Sequence, residues 1–536
     1  MIAAPATDPV VIAATAFGVR GDAPGDQRAA LQAALDAAIA AGHARLELPP
    51  GRIRIEAPAA LGAWLQAAIT GSLVIAGADG GTTLVRCWHG AFDDHGLPPF
   101  LALSGPGCAA LRDLRIDADP WFHALGVVES SDPIRVRLVP GSPRAPRMVA
   151  RQVAITTPDG TLVAGKIDWA MCAEAVQDPA DPGVMILGGD RLDRTPAPGQ
   201  MLAWFFAFDG GSCLACHHLA ALEMTDVAMP SSNGFAVSIG STGATTLRRL
   251  DFAPAPGRCV SHPRDLVHGT GITGPVLIED CRFAGSSDDG INVHSFYLQV
   301  AERRGARTCL MRPIHLGNRY SRHRTGWPLD LSPGDVLDLL DADRQPAFST
   351  RIASCSVAGH ANLVTVTDDL PDWVGPGTWI DPRSTLPPST VIRRCAFRAI
   401  TSRGIKCSVH DCLIEDCTFT NITSPGLHLT GEFDWEESAS PCRVTVRGCR
   451  FDGCDFQDLH GYFRRAALLI QPKEIPGAAR VCRDIRIEDC TFTAPVHAAI
   501  DLHHATGVVI TGCGFSRAAT TAVTWDPATS DPPALR

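Results

Sequence analysis

At 536 residues the chain is longer than a single compact core usually grows, so it holds several domains or an elongated stack of repeats. Apolar residues make up 45% and charged residues 19%, the balance of a folded chain with ample core material. The net charge of −10 excludes the basic footprint of a nucleic-acid binder, and no apolar run reaches the roughly 18 residues of a membrane span.

The opening stretch MIAAPATDPVVIAATAFGVRGD lacks a charged segment followed by a continuous apolar run, so no signal peptide is expected in it. From residue 17 the text changes to FGVRGDAPGDQRAALQAALDAAIAAGHARLELPPGRIRI. Asp26 or a neighbour can cap a helix in which Leu31, Leu35 and Ile39 recur every fourth position. Gly42 ends that helix, and ARLELPPGRIRI alternates as a strand. Such a helix covers the open end of a solenoid core.

Residues 127–205 hold IRVRLVPG, MVARQVAI and QMLAWFFAF, and residues 297–385 hold YLQVAE, GDVLDLLD, NLVTVTDDLP and GTWIDP. Both read as alternating strands with tight turns, hence as small antiparallel barrels or hairpin sheets inserted between repeats. Between them CLACHH places Cys213, Cys216 and His217 in the C-x-x-C-H order of covalent haem attachment. No helical surround or axial ligand accompanies it, so coincidence in a cysteine-rich chain is the better explanation.

One octet organises the rest: VLIEDCRF at 276–283, TVIRRCAF at 390–397, CLIEDCTF at 412–419, VTVRGCRF at 444–451, IRIEDCTF at 485–492 and VVITGCGF at 508–515. Its cysteines are Cys281, Cys395, Cys417, Cys449, Cys490 and Cys513, and the shortest intervals between them, 22 and 23 residues, match one coil of a β-solenoid. The spacing follows the coil and no ligand set, so these cysteines are expected to stack as small apolar side chains in an internal ladder. The expected fold is all-β: a right-handed parallel β-helix with an N-terminal helical cap and inserted barrel-like subdomains. The divisions are 1–126 for the cap and first coils, 127–205 and 297–385 for the insertions, 206–296 and 386–536 for the central and C-terminal coils.

GSSDDGINVH, 285–294, puts Asp288 and Asp289 side by side at a Gly/Ser corner. Neighbouring strand residues face opposite sides, so the pair is either a capped turn or a displayed set of acids. Asp265 lies 23 residues before Asp288, one coil away, which would stack those two with Asp289 beside them. Three close carboxylates repel, so at least one pKa rises while a neighbour stays ionised. Glycoside hydrolysis uses such a contrast, with one carboxylate activating water and one carboxylic acid protonating the leaving oxygen. Asp288 or Asp289 is the expected base and Asp265 orients water or substrate. Glu437 in WEES, 435–438, is the favoured further acid of the site, either protonating the leaving oxygen or binding a sugar hydroxyl, with Glu432, Glu436 and Asp330 as competitors. Asn292 and His294 share one strand face, as do Arg403 and Ile405; with Lys406 and Glu432, the polar members of this set are candidates for binding sugar hydroxyls, and Trp435 and Trp327 for stacking on a sugar ring.

RIDADPWFHALGVV at 115–128, RDLVHGTGITGPVLIEDCRFAGSSDDGINVH at 264–294, SRGIKCSVHDCLIEDCTF at 402–419 and HLTGEFDWEESASPCRVTVRGCRFDGC at 428–454 together resemble glycoside hydrolase family 110. The resemblance implies an inverting, exo-acting α-1,3-galactosidase on a β-helix with barrel insertions, without metal or organic cofactor. It points to the same acids, Asp265, Asp288 and Asp289, and implies a galactose-containing glycan as substrate and a periplasmic or extracellular setting. The cysteine ladder, where many such solenoids carry Asn, and the stretch 301–330 depart from the family pattern. Two other readings stay open: a different β-helix polysaccharide hydrolase or lyase, and a non-catalytic glycan-binding β-helix. Oligomeric state is left open.

Overall fold

The computed structural model describes residues 8–58, 62–89, 97–165, 173–188, 194–206, 211–313, 329–457, 464–494, 497–516 and 521–536. Two long parallel sheets run the length of the molecule, one of 23 strands and one of 12, and successive coils pair in register. Val267, Ile291, Ile405, Leu427 and Leu468 form one such column in the 12-stranded sheet. The architecture is a parallel β-helix.

The octet is a bend with a strand on each side. The residue before each ladder cysteine has a positive φ at Asp280, Arg394, Asp416, Gly448, Asp489 and Gly512. Asp and Gly tolerate that left-handed backbone, which explains why they recur there. The chain turns at this point, so the following cysteine faces inward. Cys417 donates its thiol to Glu415 O at 3.4 Å and Ile392 O of the preceding coil at 3.7 Å, and its ladder mates repeat the pattern. Two residues on, Phe397, Phe419, Phe451, Phe492 and Phe515 stack at 4.7–5.4 Å with planes within 10°. The cysteines are structural, as the spacing indicates.

Cys213 and Cys216 both lie buried in the strand Ser212–His217, where burial pushes their thiols up to about 11 and about 12. Side chains packed in the core in this way cannot both reach a haem edge. The cap helix spans Arg28–Ala40 and buries Leu31, Ala34, Leu35 and Ala38 on the first coil. Gln27 is its N-cap, and Asp26 supports the start by accepting Arg28 N at 2.9 Å.

Antiparallel strands between His123 and Phe205 form an eight-stranded sheet that interrupts the coils. Two side-chain amides clamp its Leu162–Gly165 strand to later coils. Asn421 bonds both backbone groups of Leu162, and Gln457 both groups of Gly165, at 2.6–3.0 Å. Strands between Leu298 and Asp381 close a six-stranded barrel with its own core of Leu298, Met311, Leu337, Leu339 and Val364. Tyr297 leads into this barrel and stacks on Phe433 at 4.2 Å, and Trp379 of the barrel meets Phe433 edge-on at 5.0 Å. That aromatic joint fixes the turn between Glu432 and Glu437.

Candidate active site

The acids gather where the 12-stranded sheet begins each coil. Leu266 N donates to Asp289 O at 3.0 Å and Gly290 N to Arg403 O at 2.9 Å, so Asp265, Asp289 and Arg403 occupy equivalent places on successive coils. The ladder pairs Val267 with Ile291, a step of 291 − 267 = 24 residues. The in-register neighbour of Asp265 is therefore Asp289, not Asp288 as the 23-residue interval predicted. Asp288 still joins the group, because residues 286–289 are a bend rather than a strand and Asp288 N is held by Ser286 Oγ at 3.1 Å. Carboxylate oxygens of Asp265, Asp288 and Asp289 all lie within 4.8 Å of one another, and all three residues are buried.

Each acid has a different partner. Arg403 grips Asp289 with Nε at 2.9 Å and Nη2 at 2.8 Å. Asp288 meets Arg264 at 3.4 Å. Asp265 hydrogen-bonds His268 Nδ1 at 2.7 Å and accepts Asp289 N at 3.2 Å. Burial, reinforced by the charges of Asp288 and Asp289, pushes the Asp265 carboxyl well above the ordinary range and favours its protonated form. Oxygens this close also suit a cation, but the forked grip of Arg403 on both oxygens of Asp289 already supplies positive charge there.

From Asp289 a chain of alternating charges leads outward along the coils. Arg403 also contacts Glu432 at 2.5 Å, Lys406 contacts Glu432 at 3.1 Å and pairs with Glu437, and Glu437 lies 3.7 Å from His294 Nε2. Burial alone would raise the Glu432 carboxyl, but Arg403, Lys406 and His428 outweigh it and hold the group far below the usual range. Burial lowers the Lys406 ammonium against the pull of Glu432. His428, pushed down to about 3 by burial and then by Arg403, donates from Nε2 to Gln471 O at 2.9 Å.

Several expectations need correction. Arg403 and Ile405 do not share a face: Ile405 is in the core column, while Arg403 precedes the strand at the corner and turns outward. Lys406 is the outward residue of that strand, in register with Asn292, His268 and His428. The donors of Arg403 and Lys406 are directed at carboxylates, so neither side chain stands open to a sugar. Asp330 is exposed and pairs with His218 at 3.2 Å, in an earlier coil. Trp435 is half-buried in the turn after Glu432, Glu436 is half-buried beside it, and Trp327 lies outside the described residues.

Asn292 is buried beside His268 with no hydrogen-bond partner for its Oδ1 among the described residues, and the His294 ring holds Ser295 O through Nδ1 at 2.7 Å. His268, Arg264, His428 and Phe235 carry no signal in the sequence. Asp265 and His268 are three apart, a spacing that an ideal strand sends to opposite faces; the corner at 265 removes that rule. Phe235 packs on the His268 ring at 4.5 Å and holds it against the acids.

The family described as "Right handed beta helix region" matches residues 379–527. The chain is similar to "Alpha-1,3-galactosidase A" of Bacteroides fragilis, 27% identical over 51% of this chain and 44% of that protein. It is 28% identical to "Alpha-1,3-galactosidase A" of Streptomyces avermitilis, over 43% and 39%. "Alpha-1,3-galactosidase B" of Akkermansia muciniphila is 25% identical over 42% and 28%. The matched region thus spans less than half the length of these relatives. Among solved structures, the A-module of the Azotobacter vinelandii mannuronan C-5 epimerase AlgE6 matches 97% of this chain and 99% of its own, at TM-score 0.39 and 11% identity, too loose to bear on the site. The chain is a parallel β-helix protein with relatives named α-1,3-galactosidases.

Proposed function

We propose that this chain is a glycoside hydrolase that removes terminal α-1,3-linked galactose from a glycan with inversion at the anomeric carbon. One observation carries the reading: three buried carboxylates converge at one corner under different charge partners, and burial beside the other two drives Asp265 toward its protonated form. The names of the distant relatives and the resemblance to glycoside hydrolase family 110 support the substrate.

In this scheme Asp288 is the general base. Arg264 meets it at 3.4 Å, while both oxygens of Asp289 are engaged by the forked grip of Arg403 at 2.9 and 2.8 Å, so Asp289 is the less available of the two to accept a proton from water. Asp289 is held as an ionised anchor, and Asp265 orients the water. Inverting enzymes space their two carboxyl groups about 6.5–9.5 Å apart to admit the water. The three aspartates are closer than that, so the proton donor comes from outside them, and Glu437 beyond Lys406 takes that role.

A second reading rests on the same spacing. A separation of about 5 Å is that of retaining enzymes, and Asp265 favours its protonated form, as a proton donor must. Proton NMR of the first sugar released from an α-1,3-linked galactobiose decides between them. β-Galactose as the first product upholds inversion; α-galactose transfers the acid role to Asp265; no galactose release removes the hydrolase proposal.

A further inference from the structure

The joint between the barrel and the coils holds a polar cavity of about 120 Å³. One edge is Tyr297 and Ser440, just past the paired strands that carry His294 and Glu437. Four arginines line it, and they are not equivalent. Arg383 answers Asp338 at 3.6 Å, and Arg443 is bidentate on Asp411 at 2.6 Å. Arg344 and Arg483 make no ion pair among the described residues, and the Nε of each is buried without a hydrogen-bond partner.

Asp381, 6% exposed, and His410 line the cavity as well, and Asp381 Oδ1 and His410 Nδ1 are buried with no hydrogen-bond partner among the described residues. Burial and the charge of Asp338 push the Asp381 carboxyl up to about 7, and burial pushes the His410 ring down to about 4. Near neutrality His410 is therefore uncharged and Asp381 is substantially a neutral acid able to donate. Both guanidinium groups are half-buried beside the cavity with Nε withheld from water and no ion pair among the described residues, so a bound anion would satisfy them.

We propose that this cavity is a binding site for a tetrahedral oxyanion, sulfate or phosphate, gripped by Arg344 and Arg483. Guanidinium forks match oxyanions, and the volume suits such an ion with a few waters rather than a saccharide chain. Arg344 is braced for the task by stacking on Trp379 at 4.4 Å. The Asp381 hydroxyl and the His410 N–H complete the donor set.

Calorimetric titration of the full chain at pH 6 tests this, with sodium sulfate, sodium phosphate and galactose 6-sulfate at ionic strength held constant with chloride. Saturable binding is expected, weakened at least tenfold by Arg483→Gln and by Arg344→Gln. Arg249→Gln, which removes an exposed pair with Asp226, is expected to bind as the unmodified chain does. Arg483→Lys keeps the charge and loses the fork, so it is expected to fall between. Tighter binding of inorganic sulfate names a free ion as the ligand, and tighter binding of the sugar ester names an esterified one. No saturable heat with any of the three probes, or equal weakening in the Arg249 control, overturns the proposal.

Discussion

Arg403 and Asp289 are 114 residues apart in the chain and one coil apart in space, joined by two contacts of 2.9 and 2.8 Å. The whole barrel is inserted between them, yet the ladder resumes in register on its far side, Ile291 against Ile405. A buried charge pair of this kind costs most when one member is removed, because the other is left unpaired. Arg403→Gln removes the forked partner of Asp289 and one of the cations on Glu432, and a loss of about 3–5 kcal/mol is expected in urea unfolding. Adding Asp289→Asn to that variant is expected to restore part of the loss. A double variant less stable than the parent by the full sum of the two single losses would mean the pair is not coupled.

Asp288→Asn is expected to lower turnover of an α-1,3-galactoside by about 10²- to 10⁴-fold, the range for removing a general base, while the melting temperature stays near that of the parent. Asp289→Asn is expected to lose stability as well as turnover, because it unpairs Arg403. Steady-state rates with circular-dichroism melts separate the two outcomes.

The proton donor is exposed by the leaving group. With Glu437 as the acid, Glu437→Gln is expected to abolish cleavage of a disaccharide and to spare an aryl galactoside whose phenolate leaves unaided. Asp265→Asn is then expected to impair both substrates alike. The reverse pattern would hand the acid role to Asp265 and agree with retention.

Asp381 predicts a pH dependence of stability. Its folded-state value of about 7 lies above the unfolded carboxylate range, so the native chain binds the extra proton and loses stability as pH rises through that window. A carboxyl held one pH unit above its unfolded value contributes about 1.4 kcal/mol at low pH. Asp338, Arg383 and His410 surround the group. Asp381→Asn removes the titration. The difference in melting temperature between variant and parent is expected to grow in the variant's favour from pH 5 to pH 8. A constant difference would show that Asp381 titrates normally.

Phe419→Ala deletes a ring stacked at 4.9 and 4.7 Å between Phe397 and Phe451, and about 3–5 kcal/mol of stability is expected to go with it. Cys417→Ala removes a smaller group from the same coil and is expected to cost markedly less. Equal losses would make the thiol ladder, rather than the ring stack, the principal support.

The repeat alone determined the solenoid. A left-handed bend tolerates Asp or Gly, the next residue must then turn inward, and that local chemistry recurs as E-D-C and R-G-C wherever a coil bends. Asp288 and Asp289 stood out as adjacent acids at a Gly/Ser corner, and Asp265 by lying one coil's length before them. What the tertiary structure decided is which of them stack and what neutralises each. Spacing put Asp288 above Asp265, but ladder hydrogen bonds are counted between strands, and a bend at 286–289 shifts the count by one. Arg403 and Lys406 read as candidates for binding sugar hydroxyls because their carboxylate partners, Asp289, Glu432 and Glu437, come from other coils and from a turn pinned by Tyr297 and Phe433. His268 was silent because period-two alternation holds only within a strand, and its bond to Asp265 crosses a corner. Long-range register and corner geometry belong to the stacked chain, and no local pattern carries them.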